Sequence, residues 1–331
     1  MGRRRSRVLL GIAAGCLCLG VAYVIVASFG AGSPTSDARP QAIAATGPAP
    51  ASADLLVRGV DRDDPRLNGH VFRVEDGKPV PAAAHDLACQ RVHFAAGRGL
   101  CLAVAGSGVD YEAIVFDAQL RKQTGFGLTG LPSRARVSPD GRYGAVTVFV
   151  NGHSYLGEGG FSTTTTIVDM RSGEQLGELE EFDVFMDGGR IESPDFNFWG
   201  VTFADDPSRF YATLRTGDSY YLVEGDLHAR RMRVLRDGVE CPSLSPDGAR
   251  IAYKSRLGSS DEWRLRVLDL ATLSDHSVAE QRSIDDQVEW LDDRTLTYSD
   301  GLDVYMTPAD GSGEPRRLLR GAASPAALSA R

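Results

Sequence analysis

The sequence predicts an all-β protein, a six-bladed β-propeller behind one N-terminal transmembrane helix. Three observations carry this. Residues 8–29 contain no charge, a turn motif recurs at blade-sized spacing, and the last repeat is left unfinished by the C-terminus and can be completed by the first strands of the domain.

The uncharged run is 22 residues long, and as a helix at about 1.5 Å per residue it reaches roughly 33 Å, enough to cross a bilayer. Arg3, Arg4, Arg5 and Arg7 precede it, whereas only Asp37 and Arg39 are charged between positions 30 and 40. The positive-inside rule therefore places segment 1–7 in the cytoplasm and exports everything after the helix. A cleaved signal peptide is the alternative, giving a secreted protein. Its apolar core would be unusually long, however, and cleavage after Ala31-Gly32-Ser33 would fall before Pro34. Residues 30–54 are rich in Ala, Pro, Gly, Ser and Thr and read as a flexible linker.

Over residues 55–331, short β-branched and aromatic runs alternate with Gly, Asp, Asn and Pro turns, without sustained helical periodicity. Ser138-Pro139-Asp140-Gly141 returns as Ser245-Pro246-Asp247-Gly248, each followed by a strand. Pro presets φ at the second position of a tight turn and Gly tolerates the positive φ that sends the chain back. Looser copies follow Phe94, Phe203 and Trp290. Anchored on Phe94, Val137, Phe203, Leu244 and Trp290, the units are spaced 43, 66, 41 and 46 residues, and three of the four suit a four-stranded blade. The segment Ala323 to Leu328 begins a sixth unit. Leu55 to Val60, His70 to Val74 and Pro79 to Pro81 would supply its remaining strands, closing the ring with fewer free edges.

The Ser-Pro-Asp-Gly repeats, with Trp290-Leu291-Asp292-Asp293-Arg294, resemble TolB-like β-propeller repeats of membrane-anchored or secreted proteins in high-GC Gram-positive bacteria. The resemblance spans residues 55–331 and implies the fold; it says little about activity, because such blades serve translocation proteins, peptidase propellers and binding modules alike.

The chain's 42% hydrophobic and 24% charged residues indicate neither disorder nor a polytopic membrane protein, and a net charge of −8 argues against nucleic acid as a partner. The six histidines lack ligand spacing, no Gly-x-Ser-x-Gly turn occurs, and the adjacent Asp pairs point to opposite strand faces. No catalytic, cofactor or metal site is therefore expected. Cys89 and Cys101 are the expected disulfide in an exported domain, although a hairpin centred on Gly97 would set Cys101 opposite His93; Cys241 reads as a buried thiol. The long third unit contains two excess segments, 151–161 and 183–200, whose Tyr155, Phe161, Phe185, Phe196, Phe198 and Trp199 could form an aromatic interaction surface or cover their own blade. The expected role is a non-enzymatic, membrane-tethered scaffold that binds an envelope or secreted protein, without a cofactor. An envelope glycan-binding protein or hydrolase with carboxylates in the central channel is the alternative.

Overall fold

The computed structural model describes residues 44–45, 54–60, 67–75, 78–80, 87–150, 162–258 and 260–328; the expected membrane segment at 8–29 lies outside them. Among the described residues there is no α-helix, and strands form six sheets. Blade 1 comprises Arg91–Ala95, Arg98–Val104, Tyr111–Asp117 and Lys122–Leu128. Blade 2 comprises Leu131–Val137, Tyr143–Val150, Ser162–Asp169 and Gln175–Glu178. Blade 3 runs from Asn197–Phe203 through Arg209–Thr216 and Ser219–Asp226 to Arg231–Asp237. Blade 4 holds Glu240–Leu244, Arg250–Arg256, Trp263–Asp269 and Asp275–Ser277. Blade 5 holds Glu289–Asp292, Thr295–Asp300, Asp303–Pro308 and Arg316–Arg320.

Blade 6 joins the two ends of the domain. Ala322–Ala327 is its innermost strand, and Leu55–Gly59, Val71–Glu75 and Lys78–Pro79 follow outward, with Leu55 opposite Ala327 and Leu56 opposite Ala326. The first strands of successive blades touch around the whole circle, so the ring is closed.

Six apolar clusters hold the ring together, one between each pair of neighbouring blades. Alternation along each strand builds them, because successive side chains point to opposite faces of a sheet buried on both sides. Leu55 and Val57 pack towards blade 5 while Leu56 packs towards blade 1; Leu100 and Leu102 face blade 2 while Cys101 faces blade 6. Every blade is thus a wedge with two apolar faces.

The repeated turns fold alike. In blade 2, Gly141 N–H donates to Ser138 O at 2.8 Å, Tyr143 N–H donates to Ser138 Oγ at 2.9 Å, and Gly141 sits at φ 69°. In blade 4, Gly248 N–H donates to Ser245 O at 2.9 Å, Arg250 N–H donates to Ser245 Oγ at 3.0 Å, and Gly248 also sits at φ 69°.

Three expectations are corrected. Residues 30–54 are not wholly a linker, because Ala44–Ala45 pairs with the outermost strand of blade 5, whose backbone groups would otherwise form an open edge. Segment 183–200 is not a loop: Asp183–Met186 and Gly189–Ile191 form a hairpin added in parallel to Arg231–Asp237, which widens blade 3 to six strands, and Asn197–Phe203 is that blade's innermost strand. Cys101 stands opposite Val92, not His93, because the turn has two residues, Ala96 at φ 46° and Gly97 at φ 78°.

Cys89 is bonded to Cys101, with Cα atoms 5.4 Å apart, and both lie in the cluster between blades 6 and 1. A bridge closing a loop of sequence separation 12 limits the unfolded chain by about 3 kcal/mol in the loop-entropy picture. Reduction, or Cys89→Ala with Cys101→Ala, is expected to lower the urea midpoint accordingly, read by tryptophan fluorescence.

A second stability effect is set by pH. Glu180 lies in the 3-10 turn Leu179–Glu181 and accepts N–H bonds from Thr165 in blade 2 and Phe198 in blade 3. Burial nevertheless pushes its carboxyl up to about 8. The folded chain therefore favours the neutral acid, and stability is lost as pH rises from the ordinary carboxylate range through about 8. Glu180→Gln, which keeps the acceptor but cannot ionise, is expected to flatten that decline in denaturant midpoints taken between pH 5 and 8.5.

Candidate functional site at the channel mouth

The residue before each turn anchor projects the opposite way from the anchor, into the central channel. Those residues are His93, Arg136, Thr202, Ser243 and Glu289, all buried. They form one polar layer across the ring. Arg136 Nη1 is ion-paired with Glu289 Oε2, and its Nη2 donates to Ser243 Oγ at 2.9 Å and to Val288 O at 3.2 Å. Val137 N–H donates to His93 Nδ1 at 3.1 Å, and His93 Nε2 lies 2.9 Å from Arg136 Nη1 and 3.4 Å from Glu289 Oε2. Leu244 N–H donates to Thr202 Oγ1 at 3.1 Å in the same manner, so the layer also stitches each of these blades to the next.

This layer floors a cavity of about 550 Å³ that opens among the turns between first and second strands. Ala96, Pro139, Pro246 and Leu328 contribute to its wall beside Trp290, and Asp292 and Asp293 stand at its rim. We term this opening the first mouth. Asp292 Oδ1 accepts Arg294 N–H at 2.7 Å and Asp293 Oδ1 accepts Asp247 N–H at 2.9 Å, so both carboxylates cap turns, the second one between blades. Trp290 is held by its indole N–H, which donates to Ser243 O at 2.9 Å, and by Arg250 over its ring. The opposite, second mouth gathers Arg91, Arg134 and Asp286 beneath the same layer.

Chemically, Glu289 Oε2 is committed to the Arg136 guanidinium. Among the described residues no group of three or more His, Cys, Asp or Glu side chains is placed to hold a metal ion.

The four aromatic candidates among the described residues do not assemble into one exposed surface. Phe198 is fully buried in the cluster between blades 2 and 3, and Trp199 is buried edge-on to Tyr220, because both lie on an innermost strand flanked on both sides. Phe196 is half-buried against Phe198, and Phe185 lies on the added hairpin under the Arg231 guanidinium, 4.4 Å from its ring centre. Tyr155 and Phe161 lie outside the described residues. Cys241 is a buried free thiol at φ 50°. Sequence reading missed the channel layer, since its histidine, arginine and glutamate are 196 residues apart at the extremes; the usable signal was their shared position, one before each anchor.

A closed six-bladed ring with a polar layer across its axial channel defines the class of protein, a β-propeller. The particular likeness is to TolB. TolB from Acinetobacter baumannii superposes with a TM-score of 0.58 at 16% identity, covering 86% of this chain and 69% of that one. A protein described as TolB from Agrobacterium tumefaciens gives a TM-score of 0.50 at 10% identity, covering 83% and 93%. No protein-family model matches the chain, and no curated protein matches it. At these identities the likeness shows the fold, a TolB-like β-propeller.

Proposed function

We propose that this propeller is a non-enzymatic binding module, tethered to the membrane by residues 8–29 and displayed at the cell envelope, which seats a segment of an envelope or secreted protein in its first mouth. The observation that carries the reading is the 550 Å³ cavity, large enough for several side chains and floored by a layer whose charges already satisfy one another. Such a floor offers shape and hydrogen bonds without a reactive group. The alternative of a channel hydrolase needs two carboxylates free to exchange protons, whereas Glu289, Asp292 and Asp293 are each committed to a guanidinium or a turn. The TolB-like fold supports a scaffold role by analogy.

The test is site-directed photocrosslinking in native membranes. A crosslinker at Pro246, on the first mouth, is expected to trap one discrete protein adduct, and the same group at Leu257, on the opposite face, is not. Equal trapping at both positions, or adducts at Leu257 alone, would refute the reading.

A further inference from the structure

Among the described residues, the second mouth gathers more cationic side chains than carboxylates. Arg91 Nε donates to Ser133 O at 2.7 Å and its Nη1 to Gln90 O at 3.3 Å, while Arg58 Nη1 donates to the same Gln90 O at 3.0 Å and to Cys89 O at 3.2 Å. The two guanidiniums thus meet over one carbonyl, and among the described residues neither has a carboxylate within ion-pair distance; Arg91 Nη2 has no protein acceptor there. Arg134 Nη2 is 3.6 Å from Asp285 Oδ1, an oxygen it shares with the Lys254 ammonium. Asp286 is occupied by Gln287 N–H at 2.9 Å and Ser299 N–H at 3.0 Å. Among the described residues, Arg58, Arg91, Arg134 and Lys254 therefore face three carboxylates, Asp285, Asp286 and, 4.0 Å from Lys254, Glu240, which Arg256 also occupies.

Clustered like charges in a partly desolvated recess are unfavourable unless something of opposite sign joins them. Consistent with that stress, burial and then the charge on Arg134 hold the Arg91 guanidinium below its ordinary value, and Arg58 adds to the repulsion. The recess itself, about 30 Å³, is bounded by Arg91, Arg134, Arg136, Asp286, Ser324 and Pro325. A recess of this size admits the oxygens of a carboxylate or phosphate group whose remainder stays in the mouth, and not a sugar or nucleotide. The Nη2 of Arg91, left over beside the committed Nε and Nη1, suits an oxygen of such a group.

We propose that the second mouth is a binding site for an oxyanion, the carboxylate or phosphate group of a small ligand, with Arg91 as its principal donor and Arg134 as the second. The site is separated from the first mouth by the Arg136–Glu289 layer, so it stands independently of the binding role assigned there.

The experiment uses the full chain in neutral detergent. Thermal midpoints are measured against rising inorganic phosphate, acetate and chloride at matched ionic strength, then repeated for Arg91→Gln and Arg91→Lys. A ligand that binds only the folded state raises the midpoint progressively with its concentration. Phosphate or acetate is expected to raise it beyond chloride, and whichever is the stronger identifies the preferred group. Arg91→Gln is expected to weaken that response at least tenfold in apparent affinity, with Arg91→Lys between. If Arg91→Gln does not fold, Arg58→Gln takes its place, because it removes charge from the rim. A wild-type response no larger than that to chloride, or one unchanged in the variants, would overturn the proposal.

Discussion

Deletion of residues 324–331 is expected to lower the thermal midpoint by about 10 °C. Those residues provide most of the innermost strand of blade 6, and the deletion removes the pairing of Leu55 with Ala327 and Leu56 with Ala326, the Leu328 N–H bond to Asp54 O, and the burial of Ala326 against blade 1. Counting about 1 kcal/mol per lost hydrogen bond, with apolar burial added, the loss is on the order of 4 kcal/mol. For a domain of this size each kcal/mol shifts the midpoint by roughly 2–4 °C. The truncated protein should also expose an inner edge and aggregate on heating. A melt by circular dichroism decides it: a midpoint within about 2 °C of wild type would mean that the ring does not depend on this strand.

Arg136→Leu is expected to cost about 3–5 kcal/mol, because it strands the Glu289 carboxylate in a layer where that residue is 5% exposed. His93 Nε2, 3.4 Å away, would be left beside that carboxylate, and Ser243 Oγ would lose the Arg136 donor. The double variant Arg136→Leu, Glu289→Leu should recover most of the loss, since two apolar side chains of similar size replace a pair whose attraction mainly offsets its own desolvation. Urea titration of the four-member cycle measures this. A single variant within 1 kcal/mol of wild type, or a double variant no better than Arg136→Leu, would show that the pair does not hold the channel floor.

The fold was legible because its signals are local. Ser-Pro-Asp-Gly dictates a tight turn wherever it occurs, and two nearly identical copies with three loose ones set the blade count. Blade closure was legible from bookkeeping, as a strand at 323–328 had no partner downstream and three strands at 55–81 had none upstream. The added hairpin was not. Its Gly188-Gly189 turn and short strands look like any Gly-rich loop, and pairing with Arg231–Asp237 is a contact across more than forty residues. The same distance hid the burial of Phe198 and Trp199: Asn197 to Phe203 is apolar on both faces because blades flank it on both sides, and a sequence without alternation reads as a loop or a patch.

The channel layer was illegible for a different reason. Arg136, His93 and Glu289 are unremarkable singly, and only the ring closure brings blades 1, 2 and 5 into one cross-section. Their common register, one residue ahead of each turn anchor, was present in the repeat alignment but follows from the strand period only once those anchors are known to face the blade interfaces. The charge excess at the second mouth is likewise a product of convergence, since Arg58 comes from the closing blade and Arg91 and Arg134 from the next two.

The central claim is that the first mouth binds a protein partner. Its most direct measurement is affinity capture from native membranes by the full chain, comparing wild type with Pro246→Trp, which places an indole in the mouth, and with Val109→Arg on the opposite face. The account predicts a discrete partner retained by wild type and by Val109→Arg and lost with folded Pro246→Trp; retention by all three, or loss with Val109→Arg alone, would contradict it.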